Sequence, residues 1–562
     1  MSFSENAKKY RPYNPVNLTD RTWPDRVIEQ PPRWCSVDLR DGNQALVNPM
    51  GSERKMRLYK RLLSSGFKEI EIGFPAASET DFDFFRHLIE QREIPEGVSI
   101  QALTQSREEL ITRTFEALRG ARRAIVHLYN STSQLQRRVV FRLDRDGIRD
   151  IALRGAEQVR TLARQHPDTE WTFEYSPESF TGTELDFAVE VCNDVMDIWE
   201  PSPEHRAIVN LPATVEMSTP NLYADQIEWM IRNLRRRDSL WVSLHPHNDR
   251  GTATAAAELG LLAGADRIEG TLFGNGERTG NVDIINLAIN MLTQGLDPQL
   301  DFSNINEVIR DAEHCNQLPV PVRHPWAGEL VFTSFSGSHQ DAINKGMAAL
   351  KQSNSPLWEV PYLPIDPADL GRQYEPIIRV NSQSGKGGVA FILETDYGLK
   401  LPRSLQIEFS KIIQAITEET EQEIPAVQVF QTFEQTYLKT DKPYQYVSAE
   451  GLDSDDENIR RIAFHLSRHG APLHLNGEGN GPVSALVNAL QSEVSEIFTL
   501  VDYSQHSLTS GENSVALCYV EAQLGERTLH GVGRNESTDV ASFEAVLSAL
   551  NRLLTESAPD SQ

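Results

Sequence analysis

The sequence predicts an α/β protein whose main body is a (β/α)8 TIM barrel, and three observations predict it. Eight short apolar runs alternate with helix-length amphipathic segments from Trp34 onward. They occupy about 260 residues, the size and count of such a barrel. The first strand–helix turn also lacks the glycine fingerprint that an open dinucleotide-binding sheet carries there.

The runs are 34–38 (WCSVD), 69–74 (EIEIGF), 98–104 (VSIQALT), 124–130 (AIVHLYN), 171–176 (WTFEYS), 207–214 (AIVNLPAT), 240–245 (LWVSLH) and 267–272 (RIEGTL). Between them Glu108–Leu118, Ile148–Arg164, Glu184–Met196, Tyr223–Arg235 and Ala253–Leu262 repeat apolar residues at helical spacing. Thr219-Pro220 supplies a cap residue followed by a proline suited to a first helical position. Strands separated by crossover helices run parallel.

The barrel is expected over 34–325, after a polar, Pro-rich arm at 1–33. Linker subdomains follow at 326–440: a helix at 302–318 leads into loop-rich residues 326–400, then helices at Ser404–Glu419 and Ala426–Tyr437. An acidic stretch, Asp453–Glu457, lies early in the last part, 441–562. That part carries a weak internal repeat, with Val483–Leu490 resembling Val540–Leu547. Each of these helices follows glycines, at 477–481 and 531–533, and strand-like runs lie at 498–503, 515–524 and 527–532. The expectation is a pseudo-symmetric α+β domain.

Composition narrows the function. The formal net charge is −26, a surface that repels nucleic acid and anionic lipid, so neither is an expected partner. No apolar run approaches the roughly 18 residues needed to span a bilayer, and the first ten residues lack the apolar core of a secretory signal. Cys35, Cys192, Cys315 and Cys518 have no metal-type spacing and read as reduced thiols of a cytoplasmic protein.

In a barrel the site is built from the carboxyl ends of the strands. Those ends carry Arg40 and Asp41, then His127, then Ser176 with Glu178, then Thr214, then His245 and His247, and finally Gly274–Asn281. A structural barrel has no need for so many polar ends. His245 and His247 are two residues apart, so on an extended segment both imidazoles face one way. Two neutral imidazoles and a carboxylate suit a divalent ion with open coordination positions. Asp41 is the natural carboxylate, because strands one and eight meet beside strand seven. Arg40 either stabilises developing charge on a substrate oxygen or pairs with Glu71. His127 and Thr214 are hydrogen-bond candidates for a substrate carboxylate. The glycines of Gly274–Asn281 let the chain approach closely, bringing the Asn281 carbonyl to the metal.

Several motifs together carry a resemblance. Ser36–Gln44 (SVDLRDGNQ), His245–Asp249 (HPHND), Gly274–Asn281 (GNGERTGN), Phe335–Ile343 (FSGSHQDAI) and Val380–Gly388 (VNSQSGKGG) are similar to the long form of the 2-isopropylmalate synthase family, in order and from about residue 10 to the end. The resemblance implies condensation of acetyl-CoA with 2-oxoisovalerate to 2-isopropylmalate and CoA, the first committed step of leucine biosynthesis. It implies Asp41, His245, His247 and Asn281 as metal ligands, with Mg2+ first and Mn2+ or Zn2+ as alternatives, and K+ as an activator. His339 becomes the base with Glu178 raising its basicity, and Tyr362 a lesser proton-transfer candidate beside the reading of a packed loop tyrosine. Arg40, His127, Ser176 and Thr214 become substrate contacts. The C-terminal repeat resembles a leucine-binding regulatory domain, with Gly481, Pro482, Ala485, Gly533 and Ala541 as candidate contacts. The arm, and a base outside the barrel, suggest an intertwined homodimer. A short segment, Ala348–Leu357, departs from the family pattern.

Three other readings stand beside this one. Homocitrate or citramalate synthases share the chemistry with another 2-oxo acid. A hydroxymethylglutaryl-CoA-type lyase would carry a cysteine in a glycine-rich loop, and none of the four sits so. A leucine sensor that kept only the scaffold would not need the polar strand ends.

Overall fold

The computed structural model describes residues 7–334, 336–353, 355–376, 386–420, 424, 426–440, 442–453, 458–508 and 514–555. They form two compact units, one reaching to Phe332 with Pro364–Gln373, the other Thr333–Leu363 with Tyr374 onward.

In the first unit all eight apolar runs become strands, with ends shifted by a few residues: β1 Arg33–Ser36, β2 Glu69–Gly73, β3 Ser99–Gln105, β4 Arg123–Ser131, β5 Glu170–Glu178, β6 Ala207–Ala213, β7 Leu240–Pro246 and β8 Arg267–Gly270. They close into a parallel barrel in sequential order, with Cys35 of β1 opposite Glu69 of β2 and Glu269 of β8. The helices are α1 Ser52–Ser64, α2 Glu79–Glu90, α3 Glu108–Leu118, α4 Arg145–Gln165, α5 Leu185–Trp199, α6 Pro220–Asn233, α7 Ala253–Leu262 and α8 Ile284–Leu292. Every residue of β2, β6 and β8 is buried, since one face packs inward and the other lies under helices.

The arm lies along the barrel of its own chain. Arg21 grips both oxygens of Asp225 at 2.8 and 2.9 Å, and Thr22 Oγ1 donates to Glu228 at 2.7 Å. Asp225 and Glu228 lie one turn apart on α6 and form a single buried acidic rail for the arm.

The helix after α8, α9 (Ile305–Asn316), precedes a boundary later than position 325. Residues 364–373 return to the barrel unit because Arg372 donates to Asn306 Oδ1 at 3.0 Å and to the Gly328 carbonyl at 2.7 Å.

The second unit opens with the short parallel pair β9 (Thr333–Ser334) and β10 (Glu375–Pro376). The loop-rich reading of 326–400 missed α10 (Gly337–Ser353) and α11 (Lys386–Tyr397). The cause is visible on α10, which buries only Gln340 and Ile343 among the residues described and so has almost no apolar stripe. α12 (Arg403–Thr420) and α13 (Ala426–Phe433) then pack around Leu405, Phe409, Val429 and Phe433. Positions 380–385 of the VNSQSGKGG motif, Phe335, and 454–457 of the acidic stretch lie outside the described residues.

The remainder is two β-β-β-α halves: β11 Tyr444–Leu452, β12 Arg460–Arg468, β13 Ala471–Gly479 and α14 Pro482–Leu490, then β14 Phe498–Ser507, β15 Ala516–Leu524, β16 Arg527–Asn535 and α15 Thr538–Thr555. Each sheet is antiparallel, and the two halves share one core through Phe464, Leu486, Val520 and Phe543. The glycines read as turns lie mostly in strands. A Cβ on Gly477 would collide with the Ala485 carbonyl, and one on Gly533 with that of Ala541, so each helix rests directly on its strand.

Candidate active site

The polar strand ends converge on a cavity of about 540 Å3, lined by Arg40, Asp41, His127, Ser176, Glu178, Thr214, His245 and His247. Its volume and its mixed lining, with Phe74, Leu103 and Pro212 as apolar wall, suit a small organic substrate. Asp41 is presented by a wide turn, Asp38–Gly42, directly after β1. Such turns re-aim side chains at functional sites.

His245 Nε2 lies 3.1 Å and His247 Nε2 3.6 Å from the same oxygen, Asp41 Oδ2. Burial opposes ionisation of Asp41, but Arg40 at 2.9 Å, with His245 and His247, holds it well below the usual carboxylate range. On the far side His245 Nδ1 donates to Glu269 at 2.7 Å, which fixes the ring and aims Nε2 at the cavity. Burial pushes His245 down, yet its two carboxylate partners outweigh that and bring it up to about 9. His247 has no such second partner: burial, then the neighbouring His245, depress it to about 4, so it is a neutral imidazole. An ionised carboxylate, an oriented imidazole and a neutral imidazole, with ligand atoms within 4.8 Å of one another, form a donor set that fits a divalent cation.

Asn281 meets the same group. Its amide nitrogen donates to Asp41 Oδ2 at 2.8 Å, and Oδ1 is buried without a partner. An isolated antiparallel bridge pairs its backbone with that of His247.

Arg40 Nε pairs with Glu71 at 2.5 Å, and the residue also lines the cavity. His127 places Nδ1 on Glu71 at 2.9 Å and Nε2 on Ser176 Oγ at 2.7 Å, while Asn210 donates to the same hydroxyl at 2.9 Å. Thr214 Oγ1 accepts from the Ser179 amide at 2.9 Å, and Glu178 accepts from the Ser131 hydroxyl.

Beneath these residues lies a layer that the strand ends alone did not reveal. Arg267, without solvent exposure, donates to Glu69 at 2.6 Å, Glu269 at 2.8 Å and Gln101 at 2.7 Å. Gln101 Nε2 donates in turn to Glu71 at 3.1 Å and Glu269 at 2.9 Å. Glu174 is pushed well above the ordinary range by burial and then by Glu269. The signal was in the sequence: Glu69/Glu71 and Arg267/Glu269 recur two apart within strands, hence on the inward face. Glu269→Gln, which weakens the acceptor behind His245, is expected to lower Mn2+ affinity about 10–100-fold in a titration while leaving the circular-dichroism spectrum unchanged.

His339 and Tyr362 belong to the second unit, His339 on α10. Their rings stack at 4.1 Å and 27°, and Tyr362 is 62% exposed with a left-handed φ of 63°, so it is not a packed loop tyrosine. Of the candidate regulatory residues, Ala485 and Ala541 are fully buried in the helix–strand seams. Gly481 and Pro482 open α14, and Gly533 lines a separate cavity of about 380 Å3 with Tyr444, Arg534 and Glu544.

Three comparisons with known proteins say what this chain resembles. Residues 31–311 match the family model described as HMGL-like. Residues 329–394 match the one described as alpha-isopropylmalate synthase, post-catalytic domain-like, and 423–554 the LeuA allosteric (dimerisation) domain. The 2-isopropylmalate synthase of Rhodospirillum rubrum is 58% identical over 550 residues, covering 97% of this chain and 99% of the relative. That of Mesorhizobium japonicum is 57% identical over 556 residues, covering 98% and 99%. Among solved structures, hydroxymethylglutaryl-CoA lyase from Pseudomonas aeruginosa aligns with 52% of this chain and 96% of its own at 19% identity and a TM-score of 0.43. The chain is an HMGL-like enzyme whose matched residues, 31–311, contain the closed eight-stranded barrel. The chain belongs to the 2-isopropylmalate synthase family.

Proposed function

We propose that this chain joins acetyl-CoA to 2-oxoisovalerate, giving 2-isopropylmalate and CoA. The observation that carries the reading is full-length identity above 50% to synthases of that name, together with a rim where Arg40, Asp41, His245 and His247 face one cavity. Homocitrate and citramalate activities are not favoured, because the relatives carry neither name.

A divalent ion held by Asp41, His245 and His247 would supply Lewis acidity at the ketone of the oxo acid; Mg2+, Mn2+ and Zn2+ all suit the donor set. Asn281, whose buried Oδ1 finds no donor elsewhere among the described residues, would be the fourth ligand. Arg40 offsets negative charge on the ketone oxygen as the carbon–carbon bond forms. His127, Ser176 and Thr214 are assigned to the substrate carboxylate, and Phe74, Leu103 and Pro212 to its branched alkyl group. His339 is assigned the methyl proton of acetyl-CoA, with Glu178 and Tyr362 as its helpers. The C-terminal domain supports feedback by leucine and a homodimer, in keeping with the family model it matches. No described helix is long and apolar enough to cross a membrane, which accords with work in the cytoplasm.

A thiol-release assay with 2-oxoisovalerate, pyruvate, 2-oxoglutarate and glyoxylate tests the substrate. Highest kcat/KM with 2-oxoisovalerate is expected; preference for pyruvate or 2-oxoglutarate overturns the assignment.

A further inference from the structure

Outside the cavity wall, Lys55 of α1 is fully buried. Lysine occupies such a place only when its charge is partnered. Each of its three donors finds an acceptor: Asp81 Oδ1 at 2.5 Å, the Leu39 carbonyl at 3.2 Å and the Ile72 carbonyl at 3.2 Å. Leu39 immediately precedes Arg40 within the Asp38–Gly42 turn, and Ile72 immediately follows Glu71 in β2. Arg40 and Glu71 are themselves paired at 2.5 Å. One ammonium therefore clamps the two segments that carry the guanidinium and its carboxylate.

Asp81 completes the clamp. Its second oxygen accepts from the Phe74 amide at 2.9 Å, its own amide is capped by Ser78 at 3.2 Å, and it fronts the cavity. Gly73 leaves room for it, since a Cβ there would collide with the carboxylate. A buried ion pair is a poor stabiliser compared with an apolar pair of similar volume. What Lys55 supplies that an apolar residue cannot is a three-point geometry on Asp81 and two backbone carbonyls.

We infer that Lys55, held by Asp81, is a positioning residue for the condensation: it locks the Asp38–Gly42 turn to the end of β2 and so sets where Arg40 stands against the substrate oxygen. The inference rests on the role given to Arg40 above. The test is a double-mutant cycle in kcat at saturating Mg2+, using Lys55→Met, Arg40→Gln and the double variant, with thermal unfolding recorded for each. Lys55→Met is expected to lower kcat about 10–100-fold in the wild-type background and less than about threefold when Arg40 is already Gln. A residue that merely stabilised the barrel would lower the unfolding temperature without producing that coupling. The same factor in both backgrounds, or a wild-type kcat for Lys55→Met, overturns the inference alone. Wild-type kcat in Arg40→Gln overturns the role of Arg40, and the inference with it. If Lys55→Met fails to fold, Asp81→Asn keeps the volume and weakens the same ion pair, and it enters the cycle in its place.

Discussion

Replacing His245 by alanine is expected to lower kcat by at least about 10³-fold, because charge stabilisation by a bound ion amounts to several kcal/mol and each 1.4 kcal/mol is a factor of ten. The side chain joins two carboxylates, Asp41 at 3.1 Å and Glu269 at 2.7 Å. Its loss leaves both buried charges without a common partner, at a cost of about 3–5 kcal/mol. Alanine therefore lowers the unfolding temperature as well. His245→Gln separates the effects, since an amide restores hydrogen bonds but is a poor metal ligand. Loss of turnover in both variants, measured on protein with a wild-type circular-dichroism spectrum, is the expected result; activity of either within tenfold of wild type removes His245 from the site.

The second large effect belongs to His339. His339→Gln is expected to reduce kcat by about 10²–10⁴-fold, the range for loss of a general base, without changing KM for the 2-oxo acid. His339 is exposed and stacked on Tyr362, so the substitution has little packing to disturb. Exchange of the acetyl-CoA methyl hydrogens with deuterated solvent, followed by mass spectrometry, checks the step directly. Exchange at the wild-type rate in His339→Gln would assign the base elsewhere.

Much of the barrel was legible, because its strands are short apolar runs and its helices carry apolar stripes. Asp41, His245 and His247 were legible for a related reason: each stands where an apolar run ends, and the closed strand order brings those ends together. Of the layer beneath the rim only Glu71 was legible, as a partner for Arg40; Glu69, Gln101, Arg267 and Glu269 lie within the strands and not at their ends, on the face that a closed barrel turns inward. Lys55 was invisible for another reason. Its importance lies in two carbonyls of distant segments, and backbone acceptors leave no trace in a sequence. Sequence misled most in the second unit. α10 lacks an apolar stripe, and the glycines at 477 and 533 serve strand–helix contact where a turn was expected.

The most direct test of the metal site is a Mn2+ titration of the intact chain followed by electron paramagnetic resonance. One site per chain is expected, perturbed by 2-oxoisovalerate and lost in Asp41→Asn and His247→Ala. Wild-type Mn2+ binding in both variants, or a signal indifferent to the oxo acid, would contradict a divalent ion held by Asp41, His245 and His247.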